Sequence, residues 1–331
     1  MSRSGIEWTD ETWNPLRGCN RKSPGCMHCY AERVAMRFSG KGQPYEGLVQ
    51  MTMQGPKWTG VVRTVPTSLH APLLWKRPRR VFVNSMSDLF HESVPFEFIA
   101  AVFGCMALAE QHQFQILTKR ADRMAAFCRW LAHEGARVRN PASLCITKLL
   151  ALADGIPDRL APEIRSQLAG LSRSTLANVL LGVSVEDQER ADMRREALRD
   201  VADAGWQTWV SYEPALGPVD WSGWEFICWL VSGGESGVNA RPSHPDWHRA
   251  VRDWCAQAGV PYFFKQWGAW RPETTPAGDD TASCILLRGD GKCVSDHGGQ
   301  SAAWQPLFRV GKKAAGRMLD GQLHDAMPEG A

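Results

Sequence analysis

Six short runs of β-favouring residues recur along the chain with helix-like stretches between them, and this alternation narrows the fold more than any other feature. The runs are 81–83, 114–117, 179–183, 208–210, 227–231 and 262–264. Strands separated by helices pair in parallel, because a parallel pair needs a long crossover connection. Two apolar stripes mark such crossovers: Trp247, Val251, Trp254, Cys255 and Ala258, and Met193, Ala197, Leu198 and Val201. Pro95 and Pro245 suit first-turn positions of helices. No glycine-rich phosphate-binding fingerprint follows the early strands, which argues against a dinucleotide fold. The prediction is an α/β fold, a full or partial parallel β/α barrel (TIM-barrel-like), with one more strand before Cys19.

The alternation also sets expected boundaries. Residues 1–133 form the N-terminal part of the barrel, 134–177 a helical cap insertion, 178–268 the C-terminal part, and 269–331 a loop-rich C-terminal extension with much Gly, Asp, Thr and Ser. No internal repeat is present.

In parallel α/β folds the working groups sit where strands finish, since the loops there converge over one end of the sheet. Polar residues stand at nearly every such point. Ser85, Ser87 and Asp88 follow the 81–83 run, Thr118, Lys119 and Arg120 the next, then Ser184 and Glu186, Glu213, Glu235 within a Ser-Gly-Gly-Glu-Ser-Gly stretch, and Lys265 with Gln266. One such residue is ordinary helix capping. The set predicts a ligand pocket, with Asp88, Glu186, Glu213 and Glu235 as candidates for amino or ribose hydroxyl groups and Lys119 or Arg120 for a carboxylate.

Three cysteines crowd one early loop: Cys19, Cys26 and Cys29, spaced C-x6-C-x2-C, with Pro24-Gly25 turning the chain between them. Structural zinc takes four ligands and an iron–sulfur cube is usually held by four cysteines, so three thiolates leave one metal position open. His28 is a candidate fourth ligand, which would make Cys3His zinc. The spacing favours an iron–sulfur cluster and keeps zinc as the alternative. Of the ten cysteines, Cys105, Cys128, Cys228 and Cys255 lie in apolar patterns and read as core, while Cys145, Cys284 and Cys293 carry no assigned role.

The 331 residues carry a net charge of +3, too mild to mark a nucleic-acid binder by itself. Lys76-Arg77-Pro78-Arg79-Arg80, and Lys312 and Lys313 with Arg317, are either solvated surface or phosphate contacts. No secretory pattern opens the chain, and its longest apolar run, 98–109, is too short for a bilayer, so a cytoplasmic protein without membrane contact is expected.

A cysteine triad with a trailing aromatic, Tyr30, followed by a β/α barrel resembles the radical S-adenosylmethionine superfamily. The order of Ser87-Asp88, Leu117-Thr118-Lys119 and Val183-Ser184-Val185-Glu186, followed by Arg190, Arg194 and Arg195, is similar to its spore photoproduct lyase branch. The chain also resembles a phage-associated and bacterial three-cysteine family through Ile6-Glu7-Trp8-Thr9-Asp10, Trp13-Asn14-Pro15, His28-Cys29-Tyr30-Ala31-Glu32, Gly233-Gly234-Glu235-Ser236-Gly237, Phe264-Lys265-Gln266-Trp267-Gly268 and Gly311-Lys312-Lys313-Ala314-Ala315-Gly316-Arg317. The superfamily resemblance implies a [4Fe-4S] cluster on Cys19, Cys26 and Cys29 and bound S-adenosylmethionine, with Ser85 to Asp88 the better candidate for its amino group than Glu235, which lies on a late strand; the strand-end residues Ser85, Ser87, Asp88, Thr118, Lys119, Ser184, Glu186, Glu213 and Glu235 are the cofactor-binding candidates. It also implies an electron donor such as flavodoxin or ferredoxin, and a nucleic acid or nucleotide substrate attacked through a 5′-deoxyadenosyl radical. This chain departs from the superfamily's usual C-x3-C-x2-C spacing, and His28 stands where an aromatic is usual. The competing expectation is a non-catalytic zinc- or iron–sulfur-containing nucleic-acid-binding protein.

Overall fold

The structure, a computed structural model, describes residues 5–158, 160, 162, 164, 174–272, 283–294 and 304–328. Its main element is a seven-stranded sheet made from β1 (Glu11–Trp13), β6 (Arg80–Val83), β7 (Gln113–Thr118), β8 (Val179–Ser184), β9 (Gln207–Tyr212), β10 (Trp229–Gly233) and β11 (Tyr262–Gln266), in that order. The recorded pairings within it are parallel: Trp13 lies beside Val83, Val83 beside Ile116, Leu117 beside Gly182, and Val231 beside both Ser211 and Phe263. This is the partial β/α barrel the alternation predicts, and β1 is the additional strand expected before Cys19. All six residues of β8 are buried, as a strand covered on both faces requires.

The helices between these strands are α2 (Phe96–Leu108), α3 (Ala121–Val138), α4 (Pro141–Leu152), α5 (Gln188–Asp203) and α6 (Pro245–Ala258), preceded by α1 (Tyr30–Met36) after the cysteine loop. Pro245 occupies the first turn of α6 as expected, and Gly259 ends that helix in the left-handed region at φ 69°. Pro95 instead caps α2 from outside the helix. The buried stripe of α6 is Trp247, His248, Val251 and Cys255, and that of α5 includes Ala197, Leu198 and Val201. Met193, expected on the α5 stripe, is exposed.

The described residues group into two compact units. One comprises 1–22, 29–183 and 197–208, and the other 23–28, 184–196 and 209–331. In the first, α4 packs on α2, and the expected boundary at residue 134 falls inside α3. Part of the expected cap insertion, residues 165–173, lies outside the described residues. Also in the first unit, α1 packs on a hairpin of β3 (Val49–Thr52) and β4 (Gly55–Trp58) through Ala31, Ala35, Leu48, Val49 and Trp58.

The second unit holds a four-stranded antiparallel sheet in the order β12 (Trp270–Pro272), β15 (Trp304–Arg309), β13 (Cys284–Arg288), β14 (Cys293–Val294). This differs from the loop-rich extension expected for 269–331. The strands are short, and β15 pairs with β12 and β13 across long separations, so the Gly and Asp between them dominated the composition. Residues 273–282 and 295–303 lie outside the described residues.

Candidate functional site

The loop after β1 carries the cysteines. Ser23 is extended, and Pro24–Cys26 make one 3-10 turn in which the Cys26 amide donates to the Ser23 carbonyl at 2.9 Å and the Met27 amide to the Pro24 carbonyl at 3.1 Å. Cys29 stands at the N-terminus of α1. Cys19, Cys26 and Cys29 are each partly exposed, whereas Cys105, Cys128, Cys145 and Cys255 are buried. Burial pushes the Cys128 and Cys255 thiols up to about 12 and raises Cys105 and Cys145 further, so these four remain neutral core thiols. The partly exposed loop thiols therefore have the donor chemistry for a metal or iron–sulfur cluster. Among the described residues, no three His, Cys, Asp or Glu side chains are gathered as a metal ion would hold them.

In the first unit, Cys19 and Cys29 both pack against the α1–hairpin cluster of Ala31, Ala35, Leu48, Val49, Trp58 and Met86. Gly18, just before Cys19, has φ +88°, and a Cβ there would meet the Val61 carbonyl oxygen at 2.2 Å. Gly18→Ala is expected to lower stability by about 2 kcal/mol or more, through left-handed strain and overpacking, read as a shift in the urea midpoint. An unchanged midpoint would mean that the Val61 segment moves aside freely.

The ends of β6 and β7 form one buried network in this unit. Asp88 Oδ1 accepts the Thr118 hydroxyl at 2.7 Å, and Oδ2 accepts the Lys119 amide at 3.3 Å and Arg120 Nη1 at 2.8 Å. Arg120 also donates to Glu92 at 2.8 Å and to the side-chain oxygen of Asn20, Cys19's neighbour, which His91 meets at 3.1 Å. Burial works against the Arg120 charge, but Asp88, Glu92 and the nearby Cys19 sulfur outweigh it and hold the guanidinium above its usual range. Half-buried Ser85 sits beside Asn14, and its carbonyl accepts the Tyr30 hydroxyl at 2.6 Å; the Ser87 hydroxyl donates to the Leu16 carbonyl at 3.1 Å. Both ends of the cysteine loop, Asn20 and Tyr30, are thus tied to strand ends.

In the second unit, the middle of the loop is held in the same way. Glu186, fully buried after β8, accepts the Ser23 hydroxyl at 2.6 Å and Arg194 Nη1 at 2.8 Å, while Arg194 also reaches the Ser184 carbonyl. Glu235, after β10, accepts Arg241 through its backbone amide, Nε and Nη2 at 2.6–2.8 Å, and His28 Nδ1 lies at 3.1 Å. Burial alone would raise the Glu235 carboxyl; the hydrogen bonds from Arg241 and His28 outweigh it and keep the group below the usual carboxylate range. Arg241 Nη2 also donates to the Pro24 carbonyl at 2.9 Å. Glu213 is held by Lys265 at 2.8 Å and Gln266 at 3.2 Å.

Of the expected site residues, Asp88, Thr118 and Lys119 therefore meet in one network, Glu186 and Glu235 meet the cysteine loop, and Glu213 pairs with the end of β11. Sequence reasoning gave no role to Asn20, Ser23 or Arg241; Arg241 lies 217 residues from the carbonyl it holds, and no local pattern marks it. It placed Asn84 among the polar residues after β6 without a role of its own; Asn84 is buried at φ 61° with both carboxamide atoms lacking a partner among the described residues. A left-handed non-glycine residue at a strand end is a signal that only the folded backbone carries. In the basic 76–80 segment, Arg79 pairs with Glu11 at 2.6 Å and Arg80 with Asp10 at 3.0 Å, so only Lys76 and Arg77 of it are exposed cations.

Fold and site together define a partial β/α barrel whose cysteine-bearing loop is fastened, in each unit, to the ends of parallel strands. The chain belongs to the family described as protein of unknown function (DUF5131), whose model matches residues 3–328. No curated protein matches it. Among solved structures it is similar to a spore photoproduct lyase mutant at 11% identity and TM-score 0.37, covering 93% of this chain and 72% of that one. A second mutant of that lyase, with bound AdoMet and dinucleoside spore photoproduct, is similar at 11% identity and TM-score 0.36, covering 90% of this chain and 68% of the other. No helix among the described residues is long and apolar enough to cross a membrane.

Proposed function

We propose that the chain is an iron–sulfur enzyme of the radical S-adenosylmethionine type, acting on a nucleic acid or nucleotide. The observation that carries this reading is the C-x6-C-x2-C loop of partly exposed thiols fastened to strand ends of a parallel sheet, where such folds do their chemistry. A [4Fe-4S] cluster with S-adenosylmethionine would supply, given one electron from a donor such as flavodoxin or ferredoxin, hydrogen-atom abstraction from the substrate by a 5′-deoxyadenosyl radical. Cys19, Cys26 and Cys29 supply three thiolates. Ser85, Ser87 and Lys119, half-buried at strand ends, and the unpartnered Asn84 carboxamide offer hydrogen bonds to a polar ligand. Asp88 and Thr118 orient the segment that presents them.

One observation favours a second reading. A metal-bound histidine usually donates its other ring N–H to a carboxylate, and His28 Nδ1 lies 3.1 Å from a Glu235 carboxylate oxygen, which leaves Nε2 as the nitrogen a metal would take. This arrangement suits Cys3His zinc in a non-catalytic nucleic-acid-binding protein.

Anaerobic reconstitution, metal and sulfide analysis, and dithionite reduction with S-adenosylmethionine separate the two. About four irons per chain and 5′-deoxyadenosine as product support the enzyme, and Cys26→Ala is then expected to lose most of the iron and all of the nucleoside. One zinc and no nucleoside would overturn it in favour of the second reading. Iron without nucleoside would overturn the radical chemistry alone.

A further inference from the structure

The second unit contains an arrangement that the cofactor reading leaves unused. Glu186 and Glu235 stand at strand ends where a polar ligand would be met, yet both carboxylates are turned onto the segment 23–28. Glu186 takes the Ser23 hydroxyl, and its side chain lies so close to Gly25 that a Cβ there would meet Oε1 at 2.5 Å and Cγ at 2.7 Å. Glu235 takes His28, and its partner Arg241 spans from that carboxylate to the Pro24 carbonyl. Four contact points, at Ser23, Pro24 and Gly25 on one side and His28 on the other, thus bracket Cys26.

From this geometry we infer that Glu186 and Glu235, with Arg194 and Arg241 behind them, are positioning residues that clamp the loop presenting the Cys26 thiol. Buried charge makes the clamp stiff. Glu186 is fully buried and Arg194 nearly so, each carrying the other's charge in a dry setting where a displaced partner is expensive. The Arg241 guanidinium makes two hydrogen bonds to one carboxylate, which also accepts its backbone amide, so its reach to the Pro24 carbonyl comes from a fixed guanidinium and not from a mobile surface arginine. Gly25 is required by close approach, since any larger residue would press on the Glu186 carboxyl. Ordering the loop before a metal arrives spares that ordering on binding, which raises affinity for iron or zinc alike.

The inference rests on the reading of this loop as the metal loop, and its test is arranged so that the two can fail separately. Hydrogen exchange on the full chain, before reconstitution, follows the Cys26 and Met27 amides, whose acceptors are the Ser23 and Pro24 carbonyls. Gly25→Ala and Arg241→Ala are each expected to speed exchange of these two amides at least tenfold, with amides of β9 and β10 unchanged, and Arg241→Lys to recover part of the protection. After reconstitution the same variants are expected to lose bound metal to a chelator faster than the parent chain, and any iron they retain to show a shifted absorption and electron-resonance signature. Ser23→Ala, which leaves the Glu186–Arg194 pair intact, serves should the other variants fold poorly. Exchange at Cys26 and Met27 within twofold of the parent in all variants would overturn the clamp. A chain that binds no metal but shows the exchange pattern would overturn the metal reading and leave the clamp standing.

Discussion

Replacing Arg120 by Ala is expected to lower the unfolding free energy by about 3–5 kcal/mol, the range for removing one partner of a buried ion pair. The guanidinium and the Asp88 carboxylate it bonds at 2.8 Å are 3% and 8% exposed, so little solvent screening discounts the figure. Without Arg120, Asp88 keeps only the Thr118 hydroxyl and backbone amides to balance its charge. The half-exposed Glu92 adds little, because water replaces its partner readily. The same substitution leaves the Asn20 side-chain oxygen with His91 alone, so the first turn after Cys19 is expected to exchange its amides faster as well. Asp88→Asn with Arg120→Met should recover part of the loss, since an uncharged pair leaves no buried charge behind. Urea denaturation followed by circular dichroism measures both; a loss below about 1 kcal/mol, the value of an exposed pair, would show that water reaches Asp88.

A second large effect is expected on acidification. His248 lies fully buried in α6 between the Ser243 hydroxyl at 2.7 Å and the Ser232 hydroxyl at 3.1 Å, with Tyr212, Phe264 and Trp267 around its ring. Burial, with a smaller contribution from His244, pushes its pKa down to about 3. The unfolded chain takes up this proton near pH 6.5 and the folded one does not, so between roughly pH 6.5 and 3 the unfolded state binds more protons. The contribution is therefore full above about pH 6.5 and falls with pH by about 1.4 kcal/mol per unit, a loss of ~5 kcal/mol in all. His70, His91, His112, His244 and His324 are depressed by burial too and act in the same direction. His248→Gln isolates the one group: from pH 6 to pH 5 the parent chain should lose about 1 kcal/mol more than the variant. Parallel losses would mean that the imidazole gains its proton without leaving the fold.

The sheet was legible in the sequence because its signal is local. A run such as Val179-Leu180-Leu181-Gly182-Val183 is apolar throughout, which only a strand covered on both faces tolerates, and the crossover stripe of α6 repeats at helical spacing. The antiparallel sheet of the C-terminal segment was not legible. Its strands, such as Cys284–Arg288 and Trp304–Arg309, find each other across a separation that no window of residues spans, and their neighbours are turn-formers. Met193 was misplaced for a related reason: an apolar residue near the edge of a stripe faces solvent or core by a small rotation of the helix, which packing decides.

At the candidate site, the spacing of Cys19, Cys26 and Cys29 and the polar residues closing each strand were determined by the sequence alone, since thiols at that spacing and carboxylates at those positions are chemistry written in order along the chain. What each carboxylate holds was decided by tertiary structure. Asp88 and Glu235 read alike in sequence, yet one closes a buried network with Thr118 and Arg120, and the other grips Arg241 and His28. A carboxylate's role depends on which cation lies within about 3 Å of it once desolvated. That neighbour is supplied by the fold, from residues as distant as Pro24 and Arg241, and not by anything adjacent in the chain.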